Sequence, residues 1–259
     1  MLSARTFRRL RISVLLLILL VVLLNTWLSR VRSTDWQDSL WVVVYPLNSD
    51  GRADTQRYVE SLGAEQFSAV SQFFTREAQR YGVPLEDPVI VQLADQMAQQ
   101  PPELAQNPSR FESVRWSLAM RWWAWRHDNW VGPAPDVRIF VRYHSPQGRD
   151  SLAHSLGLQK GLIGLVNAFA DARYEGQNAM VAVHELLHTL GATDKYDPAS
   201  GYPLWPDGFA QPGKVPRYPQ LQAEVMAGRL PLSEHQAVMP QTLDDVVLGP
   251  LSAAEINWR

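Results

Sequence analysis

The chain has no cysteine among its 259 residues. That excludes disulfides and thiolate metal sites, so a bound metal would rest on nitrogen and oxygen donors alone. Charge of one sign is not in excess either, with 26 acidic residues against 24 basic ones. A balance of this kind gives no electrostatic reason to expect nucleic acid as a partner. Beyond residue 29 no run is apolar for long enough to cross a bilayer. Tryptophan, by contrast, is abundant at 10 residues, with a cluster from Trp116 to Trp130.

At the N-terminus, Arg5, Arg8, Arg9 and Arg11 precede Ile12 to Ser29, an uncharged stretch made mostly of Leu, Ile and Val. As a helix it would be about 27 Å long, close to the thickness of a bilayer core. Trp27 stands where an interfacial aromatic would, and Arg30 and Arg32 follow. Asn25 to Arg32 offers bulky residues where a cleavage site needs small ones, which favours an uncleaved signal anchor over a removed signal peptide. The expected layout is a basic cytoplasmic tail over 1–11, a transmembrane helix over 12–29 and a globular domain over 33–259 on the far side. In a Gram-negative bacterium that means a single-pass protein of the inner membrane facing the periplasm.

The stretch the rest serves is Gly176 to Asp197, GQNAMVAVHELLHTLGATDKYD. It carries His184, Glu185 and His188 as H-E-x-x-H. Residues four apart share a helix face, so the two imidazoles can address one ion. Glu185 projects about 100° further round the helix, where a carboxylate reaches a metal-bound water without being a ligand. Met180, Val181, Ala182, Val183, Leu186, Leu187 and Leu190 make the remaining faces apolar, as a buried helix requires. Gly191 is suited to end the helix in a left-handed conformation, letting the chain return Asp194 as a third ligand. Glu224 and His235 are rival third ligands further along. Three protein ligands with one open position is the catalytic kind of site.

With Gly191 and Asp194 included, residues 184–194, HELLHTLGATD, resemble the extended zinc signature of the metzincin metallopeptidases, H-E-x-x-H-x-x-G-x-x-H/D. Within that family the third-ligand Asp is similar to the snapalysin-like branch. The resemblance implies Zn²⁺ held by His184, His188 and Asp194, with Glu185 as general base. It implies a Met-containing turn beneath the metal, for which Met226 and Met239 are candidates. It also implies an edge strand that pairs antiparallel with an extended substrate, and residues 161–170, GLIGLVNAFA, are the candidate. Read without the family, the same segment is a core strand weakened by Gly161 and Gly164.

Elsewhere the periodicities sketch the scaffold. Residues 41–47, WVVVYPL, read as a buried strand ended by Pro46, and 48–54 as a turn-rich loop. Leu62, Phe67, Val70, Phe73, Phe74 and Ala78 mark a helix over 61–81 stopped by Gly82. Residues 88–93 read as a second strand, 99–108 as a Pro-rich surface loop, and 136–144 as a half-buried strand. Residues 111–130, FESVRWSLAMRWWAWRHDNW, read as a helix packing a sheet with Arg stacked on indole, or as a basic Trp-rich helix on a membrane surface. The wide apolar face made by Trp122 and Trp125 favours the first, with His127 structural. The loop after His144, with His154, has no assigned chemistry. Residues 198–219 form a long Pro- and Gly-rich loop, in which Tyr202 and Tyr218, with Tyr196 before them, are candidates to donate to a tetrahedral oxyanion. A last helix, with Ser252 as N-cap and Glu255 completing a capping box, closes the chain.

The fold expected from these readings is α+β: a zincin-like mixed sheet with its active-site helix over 33–191, an irregular C-terminal part over 192–259, and the anchor before both. The function expected is a membrane-anchored zinc endopeptidase acting on a peptide or protein substrate. The alternatives are a zinc-stabilised envelope scaffold that cuts nothing and an amidase acting on cell-wall peptides.

Overall fold

A computed structural model describes residues 34–105, 108–148, 155–158 and 161–258, together with 8, 11–17, 20 and 152. Residues 11–17 are helical and exposed. The span expected over 12–29 lies mostly outside the described residues, as does His154. No helix among the described residues is long and apolar enough to cross a membrane.

Five strands make one sheet: β1 (Leu40–Asn48), β2 (Val89–Leu93), β3 (Val137–His144), β4 (Leu156–Leu158) and β5 (Ile163–Phe169), in the order β2-β1-β3-β5-β4. The pairings of β1 with β2, β1 with β3, and β3 with β5 are parallel, while β4 runs antiparallel to β5. Alternate residues feed two separate cores, as a parallel sheet covered on both faces requires. Val42, Val44, Ile139, Val141, Val166 and Ala168 point into one, and Val43, Tyr45, Phe140, Ile163 and Leu165 into the other.

Helices α1 (Ala53–Glu60), α2 (Ser68–Tyr81) and α4 (Glu175–Leu190) cover the first face, and α3 (Arg110–Arg126) covers the second. The mixed sheet expected from the sequence and the helix that carries His184, Glu185 and His188 are therefore present, in three layers. Gly82 ends α2 with a φ of 70°, and Gly191 ends α4 with a φ of 112°, both left-handed as a C-cap glycine allows. α3 begins with a full capping box, Ser109 and Glu112 bonding each other's backbone N–H.

Three expectations about the sheet-bearing half need correction. β1 runs through Pro46 to Asn48 instead of ending there. Pro46 turns its carbonyl, and so its protonless nitrogen, to the side where β2 has already stopped at Leu93, and Met97 N–H donates to that carbonyl (3.0 Å). Residues 53 and 54, read as the end of a loop, open α1, which runs on through 55–60, a stretch given no element from sequence. Residues 161–170 are an interior strand, because β4 covers β5 on its outer side.

The C-terminal part is irregular, with paired two-residue strands β6 (Ala223–Glu224) and β9 (Val246–Val247), β7 (Leu230–Pro231) and β8 (Ala237–Val238), and a short α5 (Pro250–Glu255). The residue capping α5 is Gly249, not Ser252, which lies inside the helix, and Glu255 bonds Thr193 and Lys195. Buried Glu77 of α2 accepts from Leu248 N–H (3.0 Å) and pairs with Arg80 (2.5 Å), while Arg76 donates to the carbonyls of Leu243 and Val246. These bonds fasten the C-terminal segment to the sheet-bearing half.

Candidate metal centre

Helix α4 lies against β5 with Met180, Val183, Leu186, Leu187 and Leu190 buried in the core, which leaves one polar stripe facing a cleft of about 860 Å³. His184, Glu185 and His188 occupy that stripe, and the turn after Gly191 brings Asp194 back to it. The ligating atoms of His184, His188 and Asp194 lie within 4.8 Å of one another, the only such group of three or more among the described residues. Asp194 Oδ1 is 3.2 Å from His184 Nε2 and 3.1 Å from His188 Nε2.

The tautomers follow from the other ring nitrogens. His184 Nδ1 donates to the Val225 carbonyl (3.0 Å) and His188 Nδ1 to the Ala192 carbonyl (2.8 Å). A carbonyl can only accept, so each neutral imidazole keeps a bare lone pair at Nε2. Two lone pairs and a carboxylate oxygen then face one point, an arrangement that needs a proton or a cation among them. Carbonyls fixing the outer nitrogen are also how metal-binding imidazoles are usually held. The donor set fits a divalent ion bound by N and O ligands.

The electrostatics agree. Burial pushes the Asp194 carboxyl up, but the hydrogen bonds that protonated His184 and His188 rings would donate from Nε2 outweigh it and hold the group well below the carboxylate range. Burial pushes His188 down, yet the bond to Asp194 and the charge of Glu185 leave it raised. Glu185, 5 % exposed, is raised, by burial first and by Asp194, against the two histidines. Its Oε2 is buried without a hydrogen-bond partner, which is costly unless a further polar group sits there.

Of the three tyrosines, Tyr196 lines the cleft, its ring 6.5 Å from that of His184. Burial first, then the adjacent Asp194 carboxylate, keeps its hydroxyl protonated and available to donate. Tyr202 bonds the Ser233 carbonyl and Tyr218 packs on Phe209. Met226 is buried in the turn whose Val225 carbonyl holds His184, and Met239 lines the cleft. The rival ligands are elsewhere. Glu224 is fully buried and accepts from Ala227 N–H, Gly249 N–H and the Ser252 hydroxyl, and His235 is exposed beside β8. His127 packs against the Trp123 ring at a tilt.

What sequence reasoning missed is β4. Its Leu156 and Gly157 form one wall of the cleft, and a Cβ at Gly157 would stand 2.4 Å from His188 Cβ and 2.8 Å from the Glu185 carbonyl. Only a glycine lets this strand pass so close over the helix. The alternation Leu-Gly-Leu was the one available signal, too short to separate from loop. Phe169, Tyr174 and Arg229 complete the cleft. No known protein-family model matches the chain, and no curated protein matches it in sequence.

Proposed function

We propose that the chain is a zinc-dependent peptidase of metzincin type. His184, His188 and Asp194 would hold the ion, and Glu185 would serve as general base. The observation that carries this reading is the convergence of two Nε2 lone pairs and Asp194 Oδ1 beside an unpartnered, buried Glu185 carboxylate oxygen, at the floor of an open cleft. A structural site is closed by four protein ligands, whereas three ligands and an adjacent base belong to hydrolysis.

When bound, zinc lowers the pKa of a coordinated water to about 7 and polarises a carbonyl. The remaining work falls to this chain's own groups. Glu185 Oε2 takes the proton from the attacking water and passes it to the leaving amine. Its raised affinity for protons suits that exchange near neutral pH. The Tyr196 hydroxyl would donate to the oxyanion. An extended substrate would lie along β4, now the outermost strand on this side, in place of residues 161–170. The anchor over 12–29 would hold the domain at a membrane, on its extracytoplasmic side.

The test is Glu185→Gln in the full chain, with metal content and cleavage of a peptide library measured on the same preparations. The substitution is isosteric, so bound zinc should stay stoichiometric while hydrolysis falls by about a thousandfold or more, the scale of a lost general base with its coupled proton transfers. Full activity in the variant would remove Glu185 from the role, and wild-type protein that binds no metal would remove the peptidase reading. The cell-wall amidase alternative separates by substrate, with peptidoglycan fragments cut in preference to proteins.

A further inference from the structure

Helix α3 is apolar on two opposite sides. One side, with Trp116, Met120, Trp123 and Ala124, packs against the sheet. The other carries Phe111, Val114, Leu118, Trp122 and Trp125, spaced by three or four residues so that they form one stripe. That stripe faces solvent, its members 77, 60, 60, 61 and 75 % exposed in that order. The expected stacking of Arg on indole is not found on this helix among the described residues, so nothing there shields the rings. An exposed aromatic patch of this extent on a folded domain marks a contact surface.

Three observations identify the occupant. The helix exposes Arg110, Arg115 and Arg126, while Arg121 turns in beside Gly161, and its single acid, Glu112, is engaged in the N-terminal capping box. The chain as a whole is at −2, so positive charge is concentrated at this face. A second copy meeting it face to face would set arginines against arginines, whereas an anionic leaflet complements them. Finally, β1 and β3 are parallel and paired from Val42 and Val137. The chain leaves α3 and enters β3 at the end of the sheet where β1 begins, the end nearest in sequence to the anchor expected over 12–29. Trp125 and the 92 % exposed Val131 lie toward that end.

We infer that the outer face of α3 rests on an anionic phospholipid surface, with Phe111, Leu118, Trp122 and Trp125 in the headgroup region and Arg115 and Arg126 at the lipid phosphates. Trp and Phe on one face of a basic helix suit the bilayer interface, where ring and charge are both accommodated. Because α4 covers the opposite face of the sheet, such contact leaves the cleft open. It orients the domain in addition to any N-terminal tether, and it does not depend on what the cleft does.

The absence of cysteine makes the test direct, since any introduced thiol is unique. The full chain carrying Leu118→Cys, or Val114→Cys as a second position, is labelled with an environment-sensitive fluorophore and placed in lipid nanodiscs. Val215→Cys, at a site 93 % exposed on a C-terminal loop, is the control. In discs with anionic lipid, the labels at 118 and 114 should resist acrylamide and be quenched by nitroxide-bearing lipid, while the label at 215 does the reverse. Arg115→Gln with Arg126→Gln should weaken docking about fivefold per arginine. Equal acrylamide quenching at 118, 114 and 215 would overturn the proposal. So would energy transfer between copies that grows with protein concentration in lipid-free detergent, which would assign the face to a second chain.

Discussion

Gly157 illustrates how one atom governs the candidate site. Its missing side chain is what lets β4 approach α4, with His188 Cβ and the Glu185 carbonyl where a methyl group would otherwise go. Gly157→Ala should therefore push the strand off the helix, costing about 1–3 kcal/mol as overpacking does. A tenfold or larger fall in any cleavage rate should accompany it, with metal content changed less than activity. Denaturant unfolding and cleavage assays on the same variant check both. At this scale the site was largely legible in sequence. His184, Glu185 and His188 are placed on one stripe by helix geometry alone, and Asp194 follows from the turn that Gly191 permits. The carbonyls of Val225 and Ala192 were not legible, because backbone groups leave no trace in residue identity.

Among elements, the join between α3 and β3 depends on Asp128. Its carboxylate accepts from the Tyr45 hydroxyl (2.8 Å), Trp130 N–H (3.1 Å) and Arg138 Nε (3.0 Å). Burial raises its pKa, but those bonds and the Arg138 charge outweigh burial and leave it lowered. A lowered folded pKa means that the group stabilises the fold above the unfolded Asp value of about 3.9 and loses that contribution as pH falls below it. Asp128→Asn should lower the melting temperature near neutral pH and flatten its decline between about pH 5 and 3. An unchanged acid limb in thermal melts would show that Asp128 contributes nothing there. The long helices and strands could be read from periodicity, while α1 and β4 could not. α1 is only Ala53–Glu60, with just Thr55 and Val59 buried, and β4 is only Leu156–Leu158, so neither has enough turns or alternations to declare itself.

The whole molecule is closed by contacts between its distant parts. Trp258 is 1 % exposed, its ring 4.9 Å from Trp36 and 6.0 Å from Phe74, and Trp36 Nε1–H donates to the Ile256 carbonyl (2.6 Å). Trp258→Ala should cost about 3–5 kcal/mol through the cavity it leaves. Trp258→Phe should cost less, since the buried indole N–H it removes has no partner. Chemical denaturation of the two variants orders them. On the proposed reading, chelation of the metal should also lower the melting temperature, and zinc should restore it. The gain should be about 2.7 kcal/mol when free zinc is a hundred times its dissociation constant.

The residue types of the metal group, the helix that carries two of them and the alternation of the central strands were set by the sequence itself, because each follows from spacing along a single element. Which strand forms the outer edge beside the cleft, which carbonyls aim the imidazoles, and which apolar face of α3 stays uncovered were decided only by the tertiary structure. Those depend on segments far apart in the chain meeting in space, and local periodicity carries no record of such meetings.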